Sequence, residues 1–198
     1  MKPGALPVSV DGVGDAPPMP FAVELHFDDP SRGELASVWS ALAEVAGRPR
    51  RTELGIAPHV SVAVLPDRPR GLDLAIQSLA RSLPAFDLHL DRIDHFPGDE
   101  GVVFIGVVPQ PDLLQVHEQV NGLLERLGAA NLPHYQPGRW RPHCTVATDV
   151  PPALLPQVLS AASSLRRPEV VRAVSLCGVG YRPAKLDFTA ALGAGSHP

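Results

Sequence analysis

Residues 141–147, Arg-Pro-His-Cys-Thr-Val-Ala, decide how this chain is organised, because a near-copy of them lies far upstream. Residues 57–63 are Ala-Pro-His-Val-Ser-Val-Ala. Both stretches hold a proline, a histidine, one further residue, a hydroxyl residue and a valine in the same order. Chance rarely repeats such a pattern in one chain. The duplication therefore predicts two related segments that act together.

Both copies are predicted to be β-strands. They are rich in β-branched and apolar residues, and the proline stands at the entry, where no N–H is needed for the ladder. Side chains alternate across a strand, so residues two apart share a face at about 6–7 Å. His59 therefore faces the same way as Ser61, and His143 the same way as Thr145. The opposite faces carry residues suited to packing: Val60, Val62, Val64, Cys144 and Val146.

If the two strands lie side by side, two imidazoles and two hydroxyls converge. Histidine exchanges protons near neutral pH, and a hydroxyl donates hydrogen bonds to an oxyanion. This set suits a phosphodiester, because one histidine accepts a proton from the attacking oxygen and the other protonates the leaving oxygen. His59 and His143 are therefore the candidate catalytic residues. Ser61 and Thr145 are the candidate phosphate-binding residues, which hold the non-bridging oxygens as charge develops.

Length and composition limit the classes of function. The 198 residues suffice for one two-lobed domain. A net charge of −4 and the lack of a basic run predict that duplex nucleic acid is not a partner. Two cysteines cannot build a disulfide framework, and no apolar stretch has the length of a signal peptide or a membrane span. We expect a cytoplasmic monomer that needs no cofactor and has no membrane partner.

Apolar periodicity predicts eleven elements between residues 20 and 192, which we take as one domain. Their order is strand, helix, histidine strand, helix, strand, strand, helix, histidine strand, helix, strand, strand. The unit of strand, helix, histidine strand and helix occurs twice. It predicts an α+β fold of two pseudo-symmetric lobes that face each other, each with an antiparallel sheet and helices. Residues 1–19 are predicted to be a flexible leader and residues 193–198 a loose tail.

Three further residues are candidates for substrate binding. Tyr135 and Trp140 lie in the loop that runs into the second histidine strand, where either ring can stack on a base or anchor the loop. Arg141 shares the face of His143 by alternation. It can pair with phosphate or simply end the strand in water.

Two other positions are expected at the surface. His26 lies on the first predicted strand and is interpreted as a surface or edge histidine, with lining of a site as the alternative. Tyr181 lies on the turn between the last two strands. Three basic residues before the first histidine strand are interpreted as a solvated loop, with anion steering as the alternative: Arg48, Arg50 and Arg51.

The paired motifs resemble those of the 2H phosphoesterase superfamily, in particular its 2′-5′ RNA ligase-like branch. Residues 59–62 and 143–146 match its two His-x-[Ser/Thr]-x motifs, and Phe96-Pro97-Gly98 before an apolar strand agrees as well. The resemblance covers roughly residues 20–190. It implies a bilobal α+β fold with an active-site cleft between the lobes. It also implies a metal-independent phosphodiesterase that opens 2′,3′-cyclic or related cyclic phosphates of nucleotides or RNA ends. It also implies 2′-5′ RNA ligase activity as a further activity of some members.

Two other functions stay open on the sequence. The same cleft can serve a non-catalytic module that binds nucleotides or RNA ends. A metal hydrolase using His59, His143 and another histidine is the second alternative. Against it, neither motif brings an Asp, a Glu or a second histidine at the usual ligand spacing. We therefore expect no metal site.

Overall fold

The computed structural model describes residues 20–48, 51–97, 101–181 and 184–193, and within them the elements follow the predicted order. The strands are β1 (Phe21–Phe27), β2 (His59–Leu65), β3 (Phe86–His95), β4 (Val103–Val107), β5 (His143–Ala147), β6 (Val170–Gly180) and β7 (Lys185–Ala191). The helices are α1 (Asp29–Ala46), α2 (Leu72–Ser82), α3 (Pro111–Arg126) and α4 (Leu155–Ser164), with 3₁₀ turns at Arg51–Leu54 and Pro133–Tyr135. The predicted leader and all but the first residue of the predicted tail lie outside the described residues.

Helix α1 shows how local sequence sets an element. The Asp28 carboxylate accepts a hydrogen bond from the Ser31 N–H at 3.0 Å, and Pro30 occupies the first turn. Gly47 ends the helix with φ 61°, in the left-handed region that favours glycine. One face of α1 is buried, including Trp39, which is 1% exposed. The helix therefore contributes its apolar face to the core, as its periodicity predicts.

The strands form an antiparallel sheet in the order β2-β1-β6-β3-β4-β5, with β7 paired to β6. The C-terminal part of β6 pairs with β1, and its N-terminal part pairs with β3. One lobe therefore holds β2, β1, β6 and β7, and the other holds β3, β4 and β5. The two end strands of this order, β2 and β5, approach each other across the cleft. This is the predicted α+β architecture of two lobes.

Two of the helices connect the lobes, because each of them packs against a strand of the other lobe. Helix α1 follows β1 but packs against β5, and α3 follows β4 but packs against β2. Under these helices Val60 of β2 and Cys144 of β5 are both 0% exposed, whereas Val64, which lies beyond a register shift in β2, is half-buried. Each histidine strand is thus backed by a helix from the other half of the sequence. This arrangement fixes the histidine-bearing faces towards the cleft.

The end of the domain differs in one detail from the prediction. Gly193, which was assigned to the loose tail, donates its N–H to the carbonyls of Ala80 and Leu83 at 3.0 and 2.8 Å. The chain is therefore held one residue beyond the predicted domain end. None of the helices in the described ranges has both the length and the apolar character needed to cross a membrane.

Candidate active site

The cleft holds a cavity of about 280 Å³ that is lined by both histidine strands. His59 and Ser61 enter it from β2, and His143 and Thr145 enter it from β5. The sequence motifs, far apart in the chain, are thus brought to one place. The cavity is also lined by Arg51, Val64, Phe96, Val102, Tyr135, Thr148 and Tyr181.

The two halves of the site follow the same strand register. Across β1 and β2, Glu24 is opposite Ser61 and His26 is opposite His59. Across β4 and β5, Phe104 is opposite Thr145 and Gly106 is opposite His143. Both pairings also shift register at the corresponding place, next to the hydroxyl residue. Since an irregularity of this kind redirects side chains, its duplication orients both hydroxyl residues in a related way.

The two imidazoles are held by the same backbone device. Nδ1 of His59 lies 2.7 Å from the carbonyl of Ala57, and Nδ1 of His143 lies 2.7 Å from the carbonyl of Arg141. A carbonyl oxygen can only accept a hydrogen bond, so Nδ1 carries the proton in both rings. The neutral form of each ring therefore keeps its lone pair on Nε2. Each Nε2 is the nitrogen left to exchange a proton with a ligand.

His59 has a buried carboxylate beside it. Oε1 of Glu24 lies 3.4 Å from Nε2 of His59, and Glu24 is 2% exposed. The other Glu24 oxygen accepts a hydrogen bond from Nε2 of His26 at 2.8 Å, and the Tyr181 hydroxyl donates to Oε1. The His26 ring stacks on the His59 ring with centroids 6.2 Å apart. The carboxylate is therefore surrounded by donors that keep it in place.

His143 has aromatic neighbours instead. The Phe96 ring meets it edge-on at 4.9 Å between centroids, and the Phe104 ring lies at 5.2 Å. Within the described ranges, no carboxylate oxygen lies within 4 Å of the His143 ring nitrogens. The two imidazoles share a backbone geometry but differ in the charge of their surroundings.

These surroundings shift the ionisation of the site. Burial lowers the pKa of His59 and of His143, and only at His59 does a carboxylate, Glu24, oppose that effect. Burial alone would raise the pKa of Glu24, but the attraction of His59 and the hydrogen bond from His26 outweigh it and lower that pKa. Burial opposes the charge on His26, yet contacts with Cys177 and Glu24 raise its pKa to about 9. At neutral pH Glu24 is therefore ionised and His26 is protonated.

The structure places Arg141 outside the cavity. The sequence put its side chain on the face of His143, but β5 begins only at His143, so alternation does not govern the residue before Pro142. Instead, Nη2 of Arg141 lies 2.5 Å from the Asp94 carboxylate, and the guanidinium sits over the Phe104 ring at 4.8 Å. The backbone carbonyl of Arg141 does contribute to the site, because it accepts a hydrogen bond from Nδ1 of His143.

The two aromatic candidates have different positions. Tyr135 lines the cavity. Trp140 does not, because its ring stacks on His117 with centroids 4.0 Å apart and an interplanar angle of 6°. Its Nε1–H also donates to the carbonyl of Ser61 at 3.1 Å. These contacts tie the loop to α3 and β2, and they favour the role of a loop anchor for Trp140.

Sequence reasoning missed the residues around His59. His26 and Tyr181 were expected at the surface, but the His26 side chain is 12% exposed and Tyr181 lines the cavity. The reason is topological, since β1 lies between β2 and β6 and cannot be an edge strand. A glutamate in the otherwise apolar run Phe21–Leu25 is the one sequence signal of the cluster. Its partners follow only from the pairing of β1 with two strands.

The described residues contain no group of three or more His, Cys, Asp or Glu side chains arranged to hold a metal ion. The two cysteines are both buried and free, as expected for packing residues. The candidate site therefore consists of two imidazoles, two hydroxyls, one carboxylate with its donors, and the nearby Arg51 guanidinium.

Comparison with known protein families bears on this geometry. The model of the 2′-5′ RNA ligase superfamily matches residues 27–182, which is most of the chain and includes both histidine motifs. The chain belongs to this superfamily. The resemblance to 2H phosphoesterases inferred from the paired motifs is thereby confirmed. No curated protein matches the sequence.

Solved structures share the fold of this superfamily member at low sequence identity. Escherichia coli LigT in complex with 3′-AMP is 18% identical, with a TM-score of 0.59 over 88% of this chain and 98% of LigT. LigT in its apo form is 20% identical, with a TM-score of 0.58 over 90% of this chain and 99% of LigT. A Thermus thermophilus protein is 18% identical, with a TM-score of 0.60 over 90% of this chain and 100% of its own. The likeness extends over nearly the whole length of each chain and establishes the fold.

Proposed function

We propose that this protein is a metal-independent phosphodiesterase that opens 2′,3′-cyclic or related cyclic phosphates of nucleotides or RNA ends. One observation carries the proposal. Two imidazoles, each held through Nδ1 so that Nε2 is left to exchange a proton, and two hydroxyls enter a single cavity of about 280 Å³ from equivalent strands. Membership of the 2′-5′ RNA ligase superfamily supports it, since the members it is named for act at phosphodiesters. LigT has been crystallised with 3′-AMP, a nucleotide that carries a 3′-phosphate, which supports a nucleotide ligand here.

The reaction needs one base and one acid. A neutral histidine takes a proton from water at Nε2 as the water oxygen attacks phosphorus. The bond from phosphorus to one ribose oxygen breaks, and the protonated histidine gives its Nε2 proton to that oxygen. The products are a phosphate monoester and a free ribose hydroxyl. The hydroxyls of Ser61 and Thr145 donate hydrogen bonds to the non-bridging oxygens, which gain charge in the transition state.

The surroundings of the two rings support an assignment of the acid and base roles. In neutral His59 the Nε2 lone pair would face the Glu24 carboxylate, whose Oε1 lies 3.4 Å from Nε2. The negative charge of Glu24 therefore favours the protonated ring. His143 has Phe96 and Phe104 beside it and lacks such a partner. We therefore assign His59 as the acid and His143 as the base in ring opening. In the reverse direction the roles exchange.

The same machinery supports a 2′-5′ ligase reaction. If a ribose hydroxyl replaces water as the nucleophile, His143 removes its proton and a new phosphodiester forms as the ring opens. Tyr135 lines the cavity and is the proposed contact for the nucleoside. The proposed enzyme is a cytoplasmic monomer, because one chain supplies both histidine strands and both cysteines are free thiols.

The test is hydrolysis of a panel of nucleoside 2′,3′-cyclic phosphates by the purified protein, with the product phosphate located by NMR. We expect turnover to a single 2′- or 3′-monophosphate, unchanged after treatment with EDTA. Binding of the whole panel without turnover would overturn the proposal. It would favour the alternative, a non-catalytic module that binds nucleotides or RNA ends in the same cleft. Loss of activity in EDTA, restored by a divalent cation, would favour a metal hydrolase.

A further inference from the structure

A second cavity of about 350 Å³ lies between α1 and the end of β5. Its lining includes Trp39 and Ala43 from α1 and two guanidinium groups, those of Arg48 and Arg51. Arg51 and Thr148 line this cavity and the catalytic cavity alike, so the two spaces adjoin. We call the second space the α1–β5 cavity.

Arg51 stands between the two cavities, where the Glu24 and Asp149 carboxylates attract its charge from a distance. In the described ranges no carboxylate oxygen lies within 4 Å of its guanidinium. Among the described residues, one of its five N–H donors has a hydrogen-bond partner, the Thr148 hydroxyl, at 3.5 Å. Its Nε is buried with no partner, and its plane sits over the Trp39 ring at 5.0 Å. A half-buried cation without a direct ion pair is costly, and an anionic ligand would offset that cost.

The rest of the wall also favours an acceptor-rich ligand. Nε1 of Trp39 is buried without a hydrogen-bond partner. Arg48 is exposed and donates to the backbone carbonyl of Asp149 at 2.7 Å, which holds its guanidinium at the cavity wall. Asp149 is the one carboxylate among the described lining residues, and it is exposed to solvent. The two arginines therefore leave the wall with a net positive charge.

We propose that the α1–β5 cavity binds a second phosphate group of the substrate. Arg51 would lie between that group and the cyclic phosphate, and Arg48 would face it from the other side. This inference rests on the proposed function, because it names the substrate class of the same site. The second phosphate is either a 5′-monoester on the same nucleoside or the phosphodiester that joins it to a preceding nucleotide.

The experiment compares three substrates of one base. They are a nucleoside 2′,3′-cyclic phosphate, the same compound with a 5′-phosphate, and a dinucleotide that ends in the cyclic phosphate. We expect the second phosphate to raise kcat/KM by about tenfold, the order of one charge-assisted hydrogen bond. A gain with the 5′-phosphate alone identifies a mononucleotide substrate, and a gain with the dinucleotide identifies an RNA end. Equal kcat/KM values within about twofold for all three would overturn the inference.

Variants of the cavity wall test whether the gain in kcat/KM arises in the α1–β5 cavity. Ala43→Phe fills the α1–β5 cavity, and Arg48→Gln removes one charge from its wall. Both should bring the ratio of kcat/KM values towards one. Arg32→Gln is the matched control, because Arg32 lies on α1 and pairs with Asp29 away from the cavity, and it should keep the wild-type ratio. A wild-type ratio in both cavity variants would place the second phosphate elsewhere and overturn the inference.

A binding measurement keeps this inference separate from the proposed function. Calorimetry compares a nucleoside 3′-phosphate with the 3′,5′-bisphosphate, and we expect the bisphosphate to bind about tenfold more tightly to the wild type. If no cyclic phosphate is turned over but this difference is present and is lost in Arg48→Gln, the proposed reaction fails and the second phosphate site stands. If turnover occurs and the two affinities are equal, the proposed reaction stands and the second phosphate site fails. Thermal unfolding of each variant confirms that it is folded.

Discussion

Glu24 and Phe104 occupy equivalent positions in the two halves of this protein. Glu24 pairs with Ser61 across β1 and β2, and Phe104 pairs with Thr145 across β4 and β5. The duplicated fold thus places a buried carboxylate beside one histidine and a phenyl ring beside the other. The asymmetry of the site comes from these partner strands, because the two motifs themselves are almost identical.

This relationship predicts the effect of Glu24→Gln on the pH profile of kcat. The negative charge of Glu24 raises the pKa of His59 relative to a neutral neighbour, and the acid must be protonated. Loss of that charge should therefore move the alkaline limb of the profile to lower pH, by about one unit. The acidic limb, which reports the base His143, should stay in place. Steady-state rates between pH 5 and 9 measure both limbs.

Phe104→Leu is the control for that experiment, because it changes the equivalent position without changing a charge. It should leave both limbs where they are. A shift of the acidic limb in Glu24→Gln, with a fixed alkaline limb, would reverse the assignment of acid and base. Because the two histidines interact, the limbs describe the pair, so the difference between the variants is the informative quantity.

Removal of either histidine should nearly abolish turnover. We expect His59→Ala and His143→Ala each to lower kcat by about 10²–10⁴-fold, the usual contribution of a positioned acid or base. The double variant should lose little more, since the two groups act in one step. His89→Ala is the control, because His89 is exposed on β3. Full activity in either single variant would rule out the two-histidine mechanism.

The hydroxyls should matter for the rate and tolerate exchange for each other. Ser61→Ala and Thr145→Val each remove one donor to the non-bridging oxygens and should lower kcat by about 10²-fold. Ser61→Thr and Thr145→Ser keep the hydroxyl and should retain most of the activity. If the hydroxyl-retaining variants lose as much activity as the others, the positions act through packing instead.

Trp140 should contribute to stability. Trp140→Phe removes the hydrogen bond to the Ser61 carbonyl, and we expect the free energy of unfolding to fall by about 1 kcal/mol. Urea denaturation measures this loss, and nucleotide affinity is measured in parallel. Weaker nucleotide binding with unchanged stability would instead indicate that the ring stacks on a base.

The contacts of His26 with Cys177 and Glu24 make stability depend on pH. The pKa of His26 is about 9 in the folded protein and near its ordinary value of 6.5 in the unfolded chain. The raised value stabilises the fold fully below pH 6.5, and this contribution is lost as the pH rises through 9. The difference in melting temperature between the wild type and His26→Gln should therefore shrink between pH 7 and 10. An unchanged difference over that range would show that His26 is not charged in the fold.

Much of the fold follows from local pattern. The spacing of the apolar residues predicts the order of all eleven elements, because it shows which face of each segment is buried. Caps such as Asp28 and Gly47 set the ends of α1 for reasons that lie within a few residues of the chain. The duplication of residues 57–63 and 141–147 predicts that two strands share one site.

The surroundings of the histidines could not be predicted in this way. Arg141 was placed by alternation, which fails at a residue that precedes the strand. His26 and Tyr181 were expected at the surface, because their burial depends on where β1 and β6 lie in the sheet. Pairing between distant strands depends on the packing of the whole chain, so it cannot be predicted from a local pattern.

By itself, the sequence determined which residues carry the candidate chemistry, since a histidine and a hydroxyl two positions apart must share a face of any strand. Only the tertiary structure decided how the two copies differ. Glu24 lies 3.4 Å from His59 because β1 pairs with β2 in one particular register. The equivalent register in the other lobe brings Phe104 to His143, and so two nearly identical motifs come to lie in different electrostatic environments.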